Sequence, residues 1–161
     1  MELYRTLSDE SLKELIRNKF VPGRVFFLLC SFMSPPRPKY LVLVSNSNYP
    51  LFFIINSDIN NYIMKRQWLL NCQVGLGKDD YDFLTQNSYV NCTEAKNDIT
   101  LDEIIDQIRK SQKYLSYIIK ERTLIESDLI KICIAVKESV PLEEDKKELI
   151  REFLKCSDLN S

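Results

Sequence analysis

Short apolar runs separated by turn-forming residues fill the first half of the chain. The runs Arg24–Phe32, Tyr40–Val44 and Leu51–Ile55 have the length and the β-branched or aromatic content that are typical of strands. Two further short strands are predicted at Cys72–Leu76 and Ser88–Cys92. Together these segments predict a small, strongly bent β-barrel or sandwich.

Helical periodicity lies on both sides of this β region. The first predicted helix spans Ser8 to Asn18, with the serine as its N-cap. After the β region, Thr100-Leu-Asp-Glu103 has the pattern of a capping box and opens a second helix. Two more helices are predicted, one capped by Ser127 and the last opened by Pro141.

The pattern leaves two segments open and predicts one domain. Residues 60–70 suit either a loop or a short helix, and residues 114–120 suit a strand or a helix. The fold class is α+β: a barrel at about 21–92 and a helical part at about 99–156, within a single domain of 161 residues.

Composition excludes several kinds of chemistry. The chain has no histidine, so it cannot by itself perform Ser-His-Asp, Cys-His or histidine-based ribonuclease chemistry. Its five cysteines are odd in number and lack metal-ligand spacing, which predicts reduced, buried thiols and neither a metal site nor a cofactor. No apolar run is long enough to span a membrane, and the acidic N-terminal segment does not resemble a secretion signal; we therefore expect a cytoplasmic protein.

Charge is distributed unevenly along the chain. Lys and Arg outnumber Asp and Glu up to Gly75, and the excess is reversed from Leu76 onward, although the net charge is only −1. The basic half predicts a nucleic-acid surface. Solvent-facing acidic residues on the later helices explain the imbalance equally well, so both interpretations stay open.

The most distinctive local feature is the proline-rich cationic segment between the first two predicted strands. It reads SFMSPPRPK, and its three prolines stiffen the backbone around Arg37 and Lys39. A cation that is fixed at the end of a strand is well placed to bind a phosphate.

Four segments in this order give the chain a family resemblance: PGRVFF, KYLVLVSNS, IINS and NSYVNC. Over roughly residues 21–142 the chain resembles the MazF/PemK family of toxins. The resemblance implies an SH3-like (plasmid-maintenance-toxin-like) barrel, a homodimer, and cleavage of single-stranded RNA without a metal. It also implies a type II toxin-antitoxin system, with a cognate antitoxin protein as a partner.

The resemblance also implies catalytic residues. The family's catalytic arginine falls on Lys39 when the LVLV strand is matched without gaps, whereas Arg37 with Pro38 reproduces the family's Arg-Pro pair literally. A shift of two residues keeps a side chain on the same face of a strand, so either cation suits the site. The hydroxyl at the end of the third strand falls on Ser57.

Three further cations, Arg24, Lys65 and Arg66, are candidates for RNA binding. The aromatic side chains of Tyr49, Tyr62 and Trp68 suit stacking on RNA bases, and equally suit the core or a dimer contact. The alternative function is a catalytically inactive barrel of the same ancestry that binds RNA or a protein partner.

Overall fold

The computed structural model describes residues 6–47 and 49–159 and confirms the mixed α+β class. One five-stranded antiparallel sheet has the order β1-β2-β3-β5-β4. The strands are β1 (Val25–Cys30), β2 (Arg37–Ser45), β3 (Leu51–Asn56), β4 (Gln73–Leu76) and β5 (Ser88–Lys96).

The sheet is open rather than closed into the expected barrel. Among the described residues, β1 pairs only with β2 and β4 only with β5, so these strands form the two edges. The reason is visible in the central strands, where 41–45 of β2 and 51–55 of β3 are buried without alternation. A continuous buried run needs a layer on each face of the sheet, whereas the outer face of a small barrel meets solvent.

Helices supply both of these layers. They are α1 (Asp9–Arg17), α2 (Asn61–Met64), α3 (Gln67–Leu70), α4 (Leu101–Lys110), α5 (Gln112–Ile119), α6 (Glu126–Glu138), α7 (Glu144–Phe153) and α8 (Cys156–Leu159). The two segments that the sequence left open, 60–70 and 114–120, are therefore mainly helical.

Two predicted caps are confirmed and two helix starts are wrong. The side chain of Ser8 accepts the Ser11 N–H at 3.1 Å, and that of Thr100 accepts the Glu103 N–H at 3.1 Å. Ser127 lies inside the first turn of α6, which begins one residue earlier at Glu126. The helix α7 begins three residues after Pro141, because the proline belongs to the turn that precedes it.

Alternate residues of the strands enter two separate cores. On the first face, α1, α4 and α5 cover apolar side chains that include Phe26, Leu41 and Phe52. On the second face, α6, α7 and α8 cover a set that includes Val42 and Phe53. Each helical layer is amphipathic, so burial of its apolar stripe against the sheet holds the three layers together.

The wide apolar stripe of α6 is used inside the chain. Leu129, Ile132 and Val136 are buried against the second face of the sheet. The chain's own strands cover this stripe, so it does not offer a surface to a second copy of the chain.

The cysteines are not all reduced, contrary to the prediction. Cys133 in α6 and Cys156 at the start of α8 form a disulfide with a Cα–Cα distance of 5.6 Å, whereas Cys30, Cys72 and Cys92 are free and buried. The bonded pair is 23 residues apart in sequence. Their approach depends on how α8 packs back on α6, which cysteine spacing does not reveal.

Within residues 6–47 and 49–159, no helix combines the length and the apolar character that a membrane crossing requires.

Candidate functional site

Part of the first face of the sheet carries polar side chains where the rest of that face is apolar. Lys39 of β2 shares its parity with Leu41, and Asn56 of β3 shares its parity with the buried Ile54. Asn91 of β5 lies opposite Ile54 in the sheet register. Polar groups therefore continue across neighbouring strands on a face that elsewhere forms a core.

These side chains line a cleft of about 470 Å³, which we call the polar cleft. Its lining combines three cations, two carboxylates, several amides and a hydroxyl with a few apolar side chains. The residues are Met33, Arg37, Lys39, Ile54, Asn56, Ser57, Asp58, Asn60, Ile63, Gln73, Asn91, Glu94 and Lys96.

The three predicted catalytic residues, Arg37, Lys39 and Ser57, all lie in this cleft. Arg37 and Lys39 belong to β2 itself and not to the preceding loop, which places them more rigidly than the sequence indicated. Ser57 follows the last residue of β3, the strand that pairs with β2. The antiparallel register thus brings the start of one strand and the end of the other to the same end of the sheet.

The cations of the cleft create a shared positive field. Burial lowers the pKa of Lys39 below its usual value, and the charge of Arg37 lowers it further. The fields of Lys39, Lys96 and Arg37 all favour the thiolate of Cys30, yet burial dominates and raises the pKa of that thiol to about 11. Cys30 is therefore a neutral thiol near pH 7 and not a nucleophile. The cleft lining holds the cations Arg37, Lys39 and Lys96 against the carboxylates of Asp58 and Glu94, so a net positive charge is left for an external anion.

Lys96 is a cation of the cleft that sequence reasoning missed. Its Nζ lies 2.9 Å from a carboxylate oxygen of Glu94 and 5.0 Å from the ring centroid of Phe32. Lys96 lies opposite Phe52 in the register between β3 and β5. The predicted strand Ser88–Cys92 was too short to include it, since β5 continues to Lys96.

The amide side chains of the cleft were also missed. The Gln73 Nε2 donates to the Asn91 Oδ1 at 2.9 Å, which links β4 to β5 across their paired positions. The same oxygen of Asn91 accepts the Thr93 N–H at 3.1 Å. A polar residue at every second position of a strand was the available signal, but it indicates only an exposed face until the neighbouring strands are known.

The helices α2 and α3 place an exposed aromatic and cationic surface beside the cleft. Tyr62 and Trp68 are 60% and 46% exposed, and the Arg66 guanidinium lies 3.6 Å from the Tyr62 ring centroid. The Arg66 Nη1 also donates to the Tyr62 carbonyl at 2.9 Å. Lys65 is exposed in the same segment, and its neighbours Asn60 and Ile63 line the cleft.

The remaining candidate, Arg24, lies apart from the cleft and is only 4% exposed. Its Nη2 donates to the carbonyls of Ile118 at 2.8 Å and Lys120 at 3.1 Å. Burial lowers the pKa of its guanidinium. The structure thus gives Arg24 the role of fixing the end of α5, and we do not retain it as an RNA contact.

A second, smaller pocket of about 290 Å³ opens on the opposite face at the same end of the sheet. We call it the aromatic pocket. Its lining includes the rings of Phe27, Tyr40 and Phe83, and it shares Lys39 and Ser57 with the polar cleft. These two residues therefore lie where the two recesses meet.

In the parts of the chain that the structure describes, no group of three or more His, Cys, Asp and Glu side chains is placed to hold a metal ion. No protein-family model, no curated protein and no solved structure matches the chain. The resemblance to the MazF/PemK family therefore stays a prediction.

Proposed function

We propose that this chain binds single-stranded RNA in the polar cleft and cleaves it without a metal, as the endoribonuclease toxin of a type II toxin-antitoxin system. The observation that carries the proposal is the meeting of Arg37, Lys39 and Ser57 in one recess, together with a further cation, Lys96. The SH3-like ancestry of the sheet is part of the same proposal.

Phosphate binding is the first step that the cleft supports. Arg37 presents a planar guanidinium that can bind two phosphate oxygens at once, and Lys39 adds a point charge. Lys39 is half-buried, so salt screens its attraction less than it screens an exposed lysine. An anionic backbone that crosses this end of the sheet thus meets fixed cations and the amides of Asn56 and Asn91.

The exposed rings beside the cleft favour a single strand over a duplex. Tyr62 and Trp68 offer stacking surfaces to unpaired bases, and Arg66 adds a cation over one of these rings. The bases of a duplex are already stacked and paired, so they cannot use such rings. Lys65 and Arg66 then serve as phosphate contacts at the margin of the cleft.

Cleavage without a metal requires the RNA's own 2′-hydroxyl. Its oxygen attacks the adjacent phosphorus, the bond from phosphorus to the 5′-oxygen breaks, and a 2′,3′-cyclic phosphate and a 5′-hydroxyl result. The Lys39 ammonium can donate the proton that the departing 5′-oxygen needs, and its lowered pKa makes it a stronger acid. Arg37 stabilises the extra negative charge on the phosphoryl group, Ser57 orients an oxygen of that group, and the Glu94 carboxylate is the candidate base for the 2′-hydroxyl.

One contact favours the alternative, a cleft that binds RNA and does not cut it. The carboxylate of Glu94 forms an ion pair with Lys96 at 2.9 Å. A 2′-hydroxyl would therefore have to compete with the Lys96 ammonium for this carboxylate. The binding and cleavage activities are therefore tested separately.

The proposed partners are a cognate antitoxin and a second copy of the chain. An antitoxin that neutralises the activity would cover the polar cleft and compete with RNA. The homodimer rests on the family resemblance and on exposed aromatic side chains such as Tyr62 and Trp68, which suit a dimer contact. Light scattering checks it, because a dimer has twice the 19.0 kDa mass of the chain; a monomer at micromolar concentration would remove the dimer from the proposal and leave the cleft untouched.

The binding experiment compares two double variants on a labelled single-stranded RNA. Arg37→Ala/Lys39→Ala should weaken binding to every sequence and reduce the slope of log K against log salt by about 1.4, at about 0.7 for each lost contact. Lys110→Ala/Lys137→Ala removes the same charge from exposed helical positions outside the cleft and should change the slope far less. Equal effects of the two variants would contradict the assignment of the cleft.

The cleavage experiment uses the same RNA with a chelator. The parent should yield a 2′,3′-cyclic phosphate product. Ser57→Ala should retain binding, because a neutral hydroxyl adds little long-range attraction, and should cut about 10²-fold more slowly. RNA that is bound but never cut by the parent would instead establish the binding-only alternative.

A further inference from the structure

The aromatic pocket adjoins the two residues to which we assign the scissile phosphate. Lys39 and Ser57 line the polar cleft on one face of the sheet and the aromatic pocket on the other. A nucleotide whose phosphate rests on these residues therefore has a recess within reach on the far side. The RNA-binding role of the cleft does not itself explain this recess.

The walls of the pocket are held in place before any ligand arrives. The ring centroid of Tyr40 lies 4.8 Å from that of Phe27 and 4.8 Å from that of Phe83. Behind them, Tyr117 lies 4.7 Å from Phe27, and the Arg122 guanidinium lies 5.0 Å from the Tyr117 ring. Rings fixed by one another in this way lose little freedom when a flat ligand packs against them.

The rim of the pocket is polar. Thr85 and Gln86 are exposed there, and the Ser88 hydroxyl donates to the Gln86 carbonyl at 3.0 Å, which fixes the rim backbone. A hydroxyl and an amide side chain can each donate and accept hydrogen bonds. They can therefore distinguish the edges of different bases.

The size of the pocket limits the occupant. Its volume of about 290 Å³ lies just below the range of about 300–1,000 Å³ that is typical of ligand clefts, so it has room for one small flat group. Aromatic walls with a short polar rim suit a flat heterocycle, whereas a peptide segment would need a longer groove with backbone partners.

We propose that the aromatic pocket holds one nucleobase of the RNA bound in the polar cleft. Tyr40 and Phe83 form its apolar wall, and Thr85 and Gln86 contact the base edge. This inference rests on the proposed function and adds base selectivity to it. The base in the pocket belongs to a nucleotide next to the phosphate on Lys39 and Ser57, so its identity governs where the RNA is bound and cut.

The test measures base discrimination in a set of labelled single-stranded RNAs that differ at one position only. Each position is varied in turn through the four bases, and binding is measured in chelator by fluorescence anisotropy. The parent should prefer one base at one position by about tenfold. Thr85→Ala/Gln86→Ala should reduce this preference to about twofold or less while the salt dependence stays unchanged. Gln112→Ala, an exposed glutamine on α5 outside both recesses, should keep the parent's preference.

The outcomes separate this inference from the proposed function. RNA that binds with a normal salt dependence but without any base preference would overturn the pocket and leave the cleft in place. A preference that survives in Thr85→Ala/Gln86→Ala would also overturn it, because the bases would then be read elsewhere. A parent that binds no RNA would overturn the proposed function and this inference together.

Discussion

The first face of the sheet has a covered region, where α1, α4 and α5 bury apolar side chains, and an open region, where polar side chains line the polar cleft. Phe52 and Asn56 lie on the same strand and the same face, four residues apart. Phe52 is fully buried, with its ring centroid 5.7 Å from that of Phe26, beneath the helical layer. Asn56 lines the polar cleft, to which the covering helices α1, α4 and α5 contribute no lining residue.

The two regions differ in how strongly packing constrains the side chain at each position. At the covered region, burial dictates an apolar side chain, because each position fills space between the sheet and a helix. At the open region, which is the part of the face at the polar cleft, α1, α4 and α5 do not line the strands, and cations and amides collect there on neighbouring strands. The open region is therefore the part of the face whose chemistry needs a functional explanation.

The largest expected contrast is between Phe52→Ala and Asn56→Ala. The first change leaves a cavity in the covered core and should lower the free energy of unfolding by about 3–5 kcal/mol. The second removes an amide from the edge of the cleft and should cost less than about 1 kcal/mol. Urea denaturation of both variants measures the contrast. Comparable losses would mean that the open region is also structural.

A smaller effect is expected at the edge strand β1, where a helix of the covered region bonds to its backbone. The buried side chain of Gln107 accepts the Leu29 N–H at 2.8 Å and donates to the Leu29 carbonyl at 2.9 Å, which satisfies the free side of the edge strand β1. Gln107→Ala should cost about 1–3 kcal/mol, because both backbone groups lose their partners. The exposed neighbour Asp106→Ala is the matched control, and denaturation curves that shift equally would remove this role.

The smallest effect concerns protonation at the open region. Because burial and then Arg37 lower the pKa of Lys39 in the folded state, the unfolded chain holds more protons between that pKa and 10.5. The contribution of Lys39 to stability therefore rises with pH across this window. NMR titration of the lysine side chains should find Lys39 below the exposed lysines, and Arg37→Ala should move its pKa upward while Arg17→Ala does not. An unchanged pKa in Arg37→Ala would show that the two cations do not share a field.

The sequence predicts the elements of this fold better than their assembly. Local chemistry determines the cap residues Ser8 and Thr100 and the strand runs, so these predictions are confirmed. The choice between barrel and open sheet depends on which strands become edges, and that choice depends on helices far along the chain. The Cys133–Cys156 disulfide was missed for the same reason.

The candidate site shows the same division. The family resemblance grouped Arg37, Lys39 and Ser57, and they lie together because β2 and β3 are consecutive antiparallel strands. Lys96 could not be added from the sequence, because α2, α3 and β4 separate its strand β5 from the strand β3 with which it pairs. Arg24 was predicted to be a surface cation, because the backbone carbonyls that accept its hydrogen bonds lie more than 90 residues later in the sequence.

Chemical-shift mapping tests the central claim, that the open region is the RNA surface, most directly. A short single-stranded RNA is added to the isotope-labelled chain with a chelator, and the amide signals are followed by NMR. The account predicts the largest shifts at Lys39, Asn56, Asn91 and Lys96, with little change at covered positions such as Phe52. Shifts concentrated instead around Lys13 and Arg17, where a separate recess beside α1 also carries cations, would contradict it.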